Sequence, residues 1–355
     1  MKALVVTGDH RLELREVSKP VPGPYEALVK VLACGICSTT DREIIKGTQP
    51  YASDYPCILG HESIGEVVEV GSKVTAFKVG DWVRRAYAIF GGESRDGLYG
   101  GWGGFAEYGI VRDGRARAHD SDDESLARDY TALRQQKVKH HDSVPLAVLA
   151  ISLAEVSSWF NQIGSVRRKT VVVGGTGIAG YCAVICAKLR GARRIIVLGR
   201  RQERLDRGID LGADAGVNVR DENPVARIRE AAGGSIDVFC ECVGNQTIFE
   251  IALDCLSDDG IIAVYGVPPG LQYALPLDKC VSPRRVAAFA AQEYLTYDWA
   301  LDLLRSGKVD ARKLLTHVWR LEDYEAAFAA LERGEVVKGM LTMGCTPDDV
   351  IGPNR

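Results

Sequence analysis

The chain has 355 residues, with 44 lysines and arginines against 47 acidic residues and a formal charge of -3. That length exceeds one core of ordinary size, so two domains are expected; the near balance of charge gives no field for phosphate backbone or acidic lipid, which argues against nucleic acid and membrane as partners. Ten scattered cysteines are no small-domain disulfide framework, and Met1 to Val6 has neither a charged n-region nor a long h-region, so free thiols and a cytoplasmic location are expected.

No apolar run is expected to approach the roughly twenty residues that span a bilayer. From the N-terminus to about residue 117 the pattern is β-rich and broken by Gly and Pro, with strand-like runs at 27–33, 64–70 and 81–86. This reads as a barrel-like half-domain. It holds Cys34-Gly35-Ile36-Cys37 and, further on, Gly60-His61-Glu62. The Cys37 thiolate, His61 imidazole and Glu62 carboxylate are donors of the kinds a zinc ion takes, and three protein ligands leave a position open for substrate. The glycine-dense stretch 91–104 suggests a mobile loop near a site, or an ordinary connection. Residues 121–142 read as an appended, capped, polar amphipathic helix ending in Lys139-His140-His141. Adjacent helical residues point about 100° apart, so these histidines are expected at the surface and not on one metal.

From residue 170 the rhythm changes to apolar strands alternating with helices: strands at 170–174, 194–198, 215–218, 236–242 and 260–265, helices at 178–189, 202–211, 224–232 and 246–256. That alternation predicts a parallel doubly wound sheet spanning about 155–285. A last strand at 286–290, helices at 297–306 and 321–332, and a closing strand at 338–343 are assigned to the first domain, giving 1–154 with 286–355.

The first strand of this region runs into Gly175-Thr176-Gly177-Ile178-Ala179-Gly180 at a helix start. Gly175 suits the tight turn, Gly177 lets backbone approach a pyrophosphate, and Gly180 lets the helix pack closely. Val243-Gly244 and Gly266-Val267, at later strand ends, are expected to flank the same cofactor. At the end of the second strand a carboxylate for the ribose 2'-hydroxyl is missing, and Arg200, Arg201 and Arg204 stand there. Fork-shaped cations match a 2'-phosphate, so NADP(H) is favoured over NAD(H); the alternative is that they solvate a helix start, which the helix dipole opposes.

Together these residues resemble the zinc-dependent medium-chain alcohol and polyol dehydrogenases over nearly the whole chain. The resemblance rests on the opening Met-Lys-Ala, Cys34 to Cys37, Gly60-His61-Glu62 with Gly65 and Val70-Gly71, Val79-Gly80-Asp81-Trp82-Val83, Gly104-Phe105-Ala106-Glu107-Tyr108, the glycine motif and Lys338. Thr40-Asp41-Arg42-Glu43-Ile44 and Val83-Arg84-Arg85 look most like the microbial NADP-using glucose dehydrogenases. The resemblance implies an α/β fold: a GroES-like β-rich catalytic domain plus a Rossmann domain. It implies a homo-oligomer with one catalytic zinc held by Cys37, His61 and Glu62, Asp41 orienting the histidine, Thr39 (or Ser38 or Thr40, given one extra residue in this loop) passing the proton, and Lys338 at the cofactor. No cysteine occurs at 85–104, where the family's structural zinc loop falls, so a second zinc is not expected. Ile151 stands where the family's third ligand is expected; Glu155, one turn on, either reaches the metal or holds a substrate hydroxyl, and Glu107 is a candidate substrate contact or a structural group. The implied reaction is hydride transfer between NADP(H) and a secondary alcohol or ketone of a sugar, cyclitol or polyol. Two rivals stand beside it: a metal-free NADPH-dependent quinone or enone reductase, and a non-catalytic NADPH-binding protein.

Overall fold

The computed structural model describes residues 1–49, 52, 54–266, 272–276 and 284–343. It divides into two compact units, Met1–Ile151 with Leu315–Arg355, and Ser152–Leu314.

The first unit is built on strands β1 (Lys2–Val6), β2 (Leu12–Glu16), β3 (Glu26–Ile36), β4 (Cys57–Ile58), β5 (Glu62–Val70), β6 (Trp82–Arg84), β7 (Ser94–Arg95), β8 (Leu98–Gly100) and β9 (Tyr108–Arg112). The long β3 is its axis, because its β-branched run Val29, Val31 and then Cys34 turns one face into the core while β5 and β9 pair with it antiparallel. The glycine-dense stretch contains the antiparallel β7–β8 pair, and β8 runs parallel to β4.

The expected helix at 121–142 does not form: Ser121 ends a helix at Gly114–Ser121, and two short pieces follow, a 3-10 turn at Glu124–Ala127 and a helix at Tyr130–Arg134. The cause is local. Asp113, Asp123 and Asp129 each accept a backbone N–H from the turn that follows, and Asp122 takes a left-handed φ of 51° that closes the first helix, so Asp122 ends one element while Asp123 and Asp129 each start another. His141 lies beyond them, stacked on Trp82.

The helix Val144–Ile163 corrects the expectation about apolar runs: its 20 residues are long and apolar enough to cross a membrane, but 83% of its most apolar window is buried inside the protein, as for a core helix.

In the second unit, β10 (Thr170–Gly174), β11 (Arg194–Gly199), β12 (Ala215–Asn218), β13 (Val238–Glu241), β14 (Ile261–Val264) and β15 (Arg285–Ala288) form one parallel sheet ordered β12-β11-β10-β13-β14-β15. Counted from β10 this is the 3-2-1-4-5-6 order of doubly wound sheets, with its switch point between β10 and β13. The return to the first unit expected at 286 falls at Leu315 instead, because β15 pairs with β14 and extends this sheet and the helix Tyr297–Arg305 follows within the same unit. The chain then adds β16 (Leu315–Arg320) and β17 (Lys338–Thr342) to the first unit, β17 pairing with β3.

Candidate functional site

Strand register assembles the first site. Gly35 on β3 faces Glu62 on β5, and Ile36 faces Gly339 on β17, so Cys37, Glu62 and Lys338 meet at one end of three adjacent strands. A side chain at position 35 has no room: its Cβ would lie 2.8 Å from Glu62 Oε2 and 3.0 Å from both Lys338 Cε and Val148 Cγ1. Glycine there lets the carboxylate and the ammonium close over the strand.

Cys37 Sγ, an imidazole nitrogen of His61 and a carboxylate oxygen of Glu62 lie within 4.8 Å of one another. Zinc–ligand bonds of about 2.0–2.3 Å give a tetrahedron with edges of ~3.5 Å, so a small inward rotation of these side chains fits them to the ion. Asp41 organises the group. Its Oδ2 accepts the Cys37 N–H at 2.8 Å and its Oδ1 lies 3.3 Å from His61 Nδ1, which leaves His61 Nε2, 3.8 Å from Glu62 Oε1, as the metal-facing nitrogen. Burial works against a charged His61, yet Asp41 and Cys37 more than offset it and raise the ring's pKa well above its ordinary value. Burial also works against an ionised Glu62; Lys338, His61 and Arg85 outweigh that and hold its carboxyl below the usual range. The candidate donors are therefore the Cys37 sulfur, a His61 ring that its neighbours bias toward the protonated form, and a carboxylate kept charged in the interior.

Three residues that sequence reasoning missed stand around this group. Arg85, 2% exposed, donates from Nη1 to the His61 carbonyl at 2.6 Å. The Trp102 ring centroid is 5.4 Å from that of His61. Trp102 also lines a cavity of about 480 Å³ with Tyr87, Phe90 and Tyr130, walled by rings and backed by the Arg112 guanidinium over Phe90. Gln135 donates to the Arg85 carbonyl. The one visible signal was Arg84-Arg85 at the end of an otherwise apolar strand.

The remaining predicted residues of this unit are spread out. Ser38 and Thr39 are exposed and Thr40 half-buried; Thr39 precedes the helix Thr40–Ile45 and its hydroxyl makes no capping bond. Glu107 Oε2 accepts the Lys2 N–H at 2.8 Å. Lys338, expected at the dinucleotide, is 1% exposed and bonds through Nζ to Glu62 Oε2 and the Ile36 carbonyl. Ile151 is wholly buried on the helix Val144–Ile163, one turn after the Val148 that touches Gly35's surroundings. Glu155 belongs to the second unit, where its Oε2 accepts the Tyr265 hydroxyl at 3.3 Å.

The second unit carries the other site at its switch point. Gly175 has φ of 123°, and a Cβ on Gly180 would lie 2.1 Å from the Gly175 carbonyl, so the turn and the helix Ile178–Leu189 fit only with glycine at both. Gly177, at the N-cap of that helix, has open space where a Cβ would point, and Ile178 and Ala179 start its first turn. Across the crevice, the buried Glu241 carboxylate accepts the N–H groups of Val243 and Gly244 and the Tyr273 hydroxyl, fixing that turn. Gly266 packs against it, its absent Cβ 2.7 Å from the Gly244 nitrogen. Val267 lies outside the described residues, as do Cys280 and Cys345. Arg200 and Arg201 are exposed just after β11, while Arg204 is buried and donates from Nη1 to the Thr176 carbonyl in the glycine turn. Burial pushes the thiols of Cys57, Cys186 and Cys255 up to about 12.

Residues 23–119 match the alcohol dehydrogenase GroES-like domain and residues 179–306 the zinc-binding dehydrogenase domain. The chain is 30% identical to a sorbitol dehydrogenase of Gallus gallus, covering 96% of this chain and 95% of that one. It is 29% identical to an NADP-dependent isopropanol dehydrogenase of Thermoanaerobacter brockii, over 94% of this chain and 96% of that one. An alcohol dehydrogenase structure from Thermus sp. ATN1 superposes with a TM-score of 0.79 at 26% identity, covering 97% of this chain and all of that one. With a GroES-like β-rich unit carrying a Cys–His–Glu group and a Rossmann unit carrying the glycine turn, the chain belongs to the zinc-type medium-chain dehydrogenases and reductases.

Proposed function

We propose that this protein is an NADP(H)-dependent oxidoreductase that binds one catalytic zinc and interconverts a secondary alcohol of a sugar, cyclitol or polyol with its ketone. The observation that carries the reading is the convergence of Cys37, His61 and Glu62, with Asp41 tying the first two together. When bound, zinc supplies a Lewis acid for the substrate oxygen and the nicotinamide takes or gives the hydride. The chain's own residues do the rest. Asp41 holds His61 in the tautomer that presents Nε2, and Lys338 and Arg85 keep Glu62 ionised in the interior. The exposed Thr39 hydroxyl, or that of Ser38 or Thr40, carries the alcohol's proton to solvent. Rings of the cavity that shares Trp102 with His61 pack against the CH-bearing face of a ring-shaped substrate. Arg200 and Arg201 meet the 2'-phosphate, and Arg204 braces the glycine turn from behind.

Ile151 favours a second reading, a metal-free reduction of an activated C=C or quinone, because a buried apolar side chain stands where a further ligand is expected. The test is a panel of secondary polyols, cyclitols and sugars with NADP, together with quinones and enones with NADPH. Turnover is expected on the alcohols, and Cys37→Ala should lower it roughly a thousandfold, since the Lewis-acid contribution is several kcal/mol. Turnover confined to quinones and enones, and equal in Cys37→Ala, would sink the proposal.

A further inference from the structure

Arg85 is a buried cation whose guanidinium is aimed at a main-chain carbonyl, that of His61, and its own backbone sits at a φ of 58°. A non-glycine residue in the left-handed region is held there by its surroundings. Two partners do the holding. The Arg85 N–H donates to the Ser63 carbonyl at 2.7 Å, on the strand that begins with Glu62, and the Arg85 carbonyl accepts Gln135 Nε2 at 2.8 Å.

Gln135 is itself fixed on every side: Nε2 also donates to the Ile110 carbonyl at 3.1 Å, and Oε1 accepts the Arg112 N–H at 2.9 Å. Its neighbours lie along β6 like an added strand. Arg84 donates from its backbone to the Gln136 carbonyl and from its side chain to Gln136 Oε1 and the Arg134 carbonyl, and the Val138 N–H donates to the Trp82 carbonyl. The appended segment thus ends in a brace on the two arginines that follow Val83.

We propose that Arg85 is a positioning residue for His61, and that the end of the appended segment, residues 134–138, sets Arg85 through Gln135. Arg85 fixes the peptide between His61 and Glu62, so it sets the direction from which both side chains approach the ion. The inference rests on the zinc reading. It gives the appended segment a task that no domain match assigns, because residues 121–142 fall between the two matched regions.

The test uses the full chain loaded with zinc and, separately, with cobalt(II), whose thiolate band reports the geometry around Cys37 and His61. Arg85→Met and Gln135→Glu, the second of which keeps the acceptor for Arg112 and loses the donor to Arg85, are each expected to release zinc to a chelator about tenfold faster and to shift the cobalt band, as loss of an outer-layer partner does in other zinc sites. Arg85→Lys, which keeps a cation able to reach the carbonyl, should restore most of the retention. Variants that lower the melting temperature of the metal-free protein but hold zinc and keep the cobalt spectrum of the wild type would overturn the inference, leaving a purely structural brace. A wild-type chain that takes up no zinc would overturn the zinc reading and the clamp with it. Should Arg85→Met fail to fold, Gln135→Glu, with the guanidinium intact, decides the matter alone.

Discussion

Asp41 acts through both oxygens of one carboxylate, one on the Cys37 amide and one facing His61, so a single side chain couples two of the three metal donors. Such economy is common where a site must be rigid before its ion arrives, because each fixed donor removes an ordering cost at binding. At the other site the residues proposed to choose the cofactor are exposed. Arg200 and Arg201 stand where a carboxylate would select NAD. Charge-assisted bonds to phosphate are each worth about 1.5–3 kcal/mol, so replacing both arginines by Ala should raise the KM for NADP by roughly a hundredfold or more while moving that for NAD far less. Equal effects on the two cofactors, measured by initial rates, would refute the assignment to the 2'-phosphate. Cys37, His61, Glu62 and the glycine motif were legible from residue type and spacing alone. Arg85 was not, since pairing of β5 with β6 is what sets it beside His61 and Ser63, nor was the Lys338–Glu62 pair, which strand register joins across most of the chain.

At the scale of elements, the parallel sheet was readable because buried strands and helices alternate in period as well as in composition; the order of its strands came only with the structure. The appended segment was misread for a physical reason: acidic caps recur at Asp113, Asp123 and Asp129, and each stops one element and starts another. Asp113 shows how firmly this segment is tied down. Its buried carboxylate accepts the N–H groups of Thr75, Ala76 and Ala116 and the Thr75 hydroxyl, joining the appended helix to the β-rich body. Burial opposes its charge, but those donors hold its pKa below the ordinary value. Its stabilisation is therefore fully present above the unfolded carboxyl pKa of about 3.9 and is lost as pH falls below that toward the depressed folded value. Asp113→Ala, which strips a cap worth about 1 kcal/mol and leaves two further buried N–H groups, should cost on the order of 3 kcal/mol in urea unfolding at pH 7. The gap between wild type and variant should narrow at pH 3; a gap independent of pH would contradict the role given to the charge.

For the whole molecule, two units with separate cores each bring one half of the chemistry: donors for an ion in the β-rich unit, and a dinucleotide crevice at the switch point of the parallel sheet. The order of the two was legible from the change of rhythm at residue 170. The return point was not, because an edge strand at Arg285–Ala288 looks the same in sequence whichever sheet it joins. Family membership fixes the fold and the class of reaction; the metal is the point on which the proposed chemistry turns, since Ile151 occupies the place of an expected ligand. The most direct measurement is zinc content by elemental analysis, paired with turnover before and after chelation and after zinc is returned. The account predicts about one zinc per chain, loss of turnover when it is removed and recovery when it is restored. Full turnover by a chain stripped of metal would contradict it.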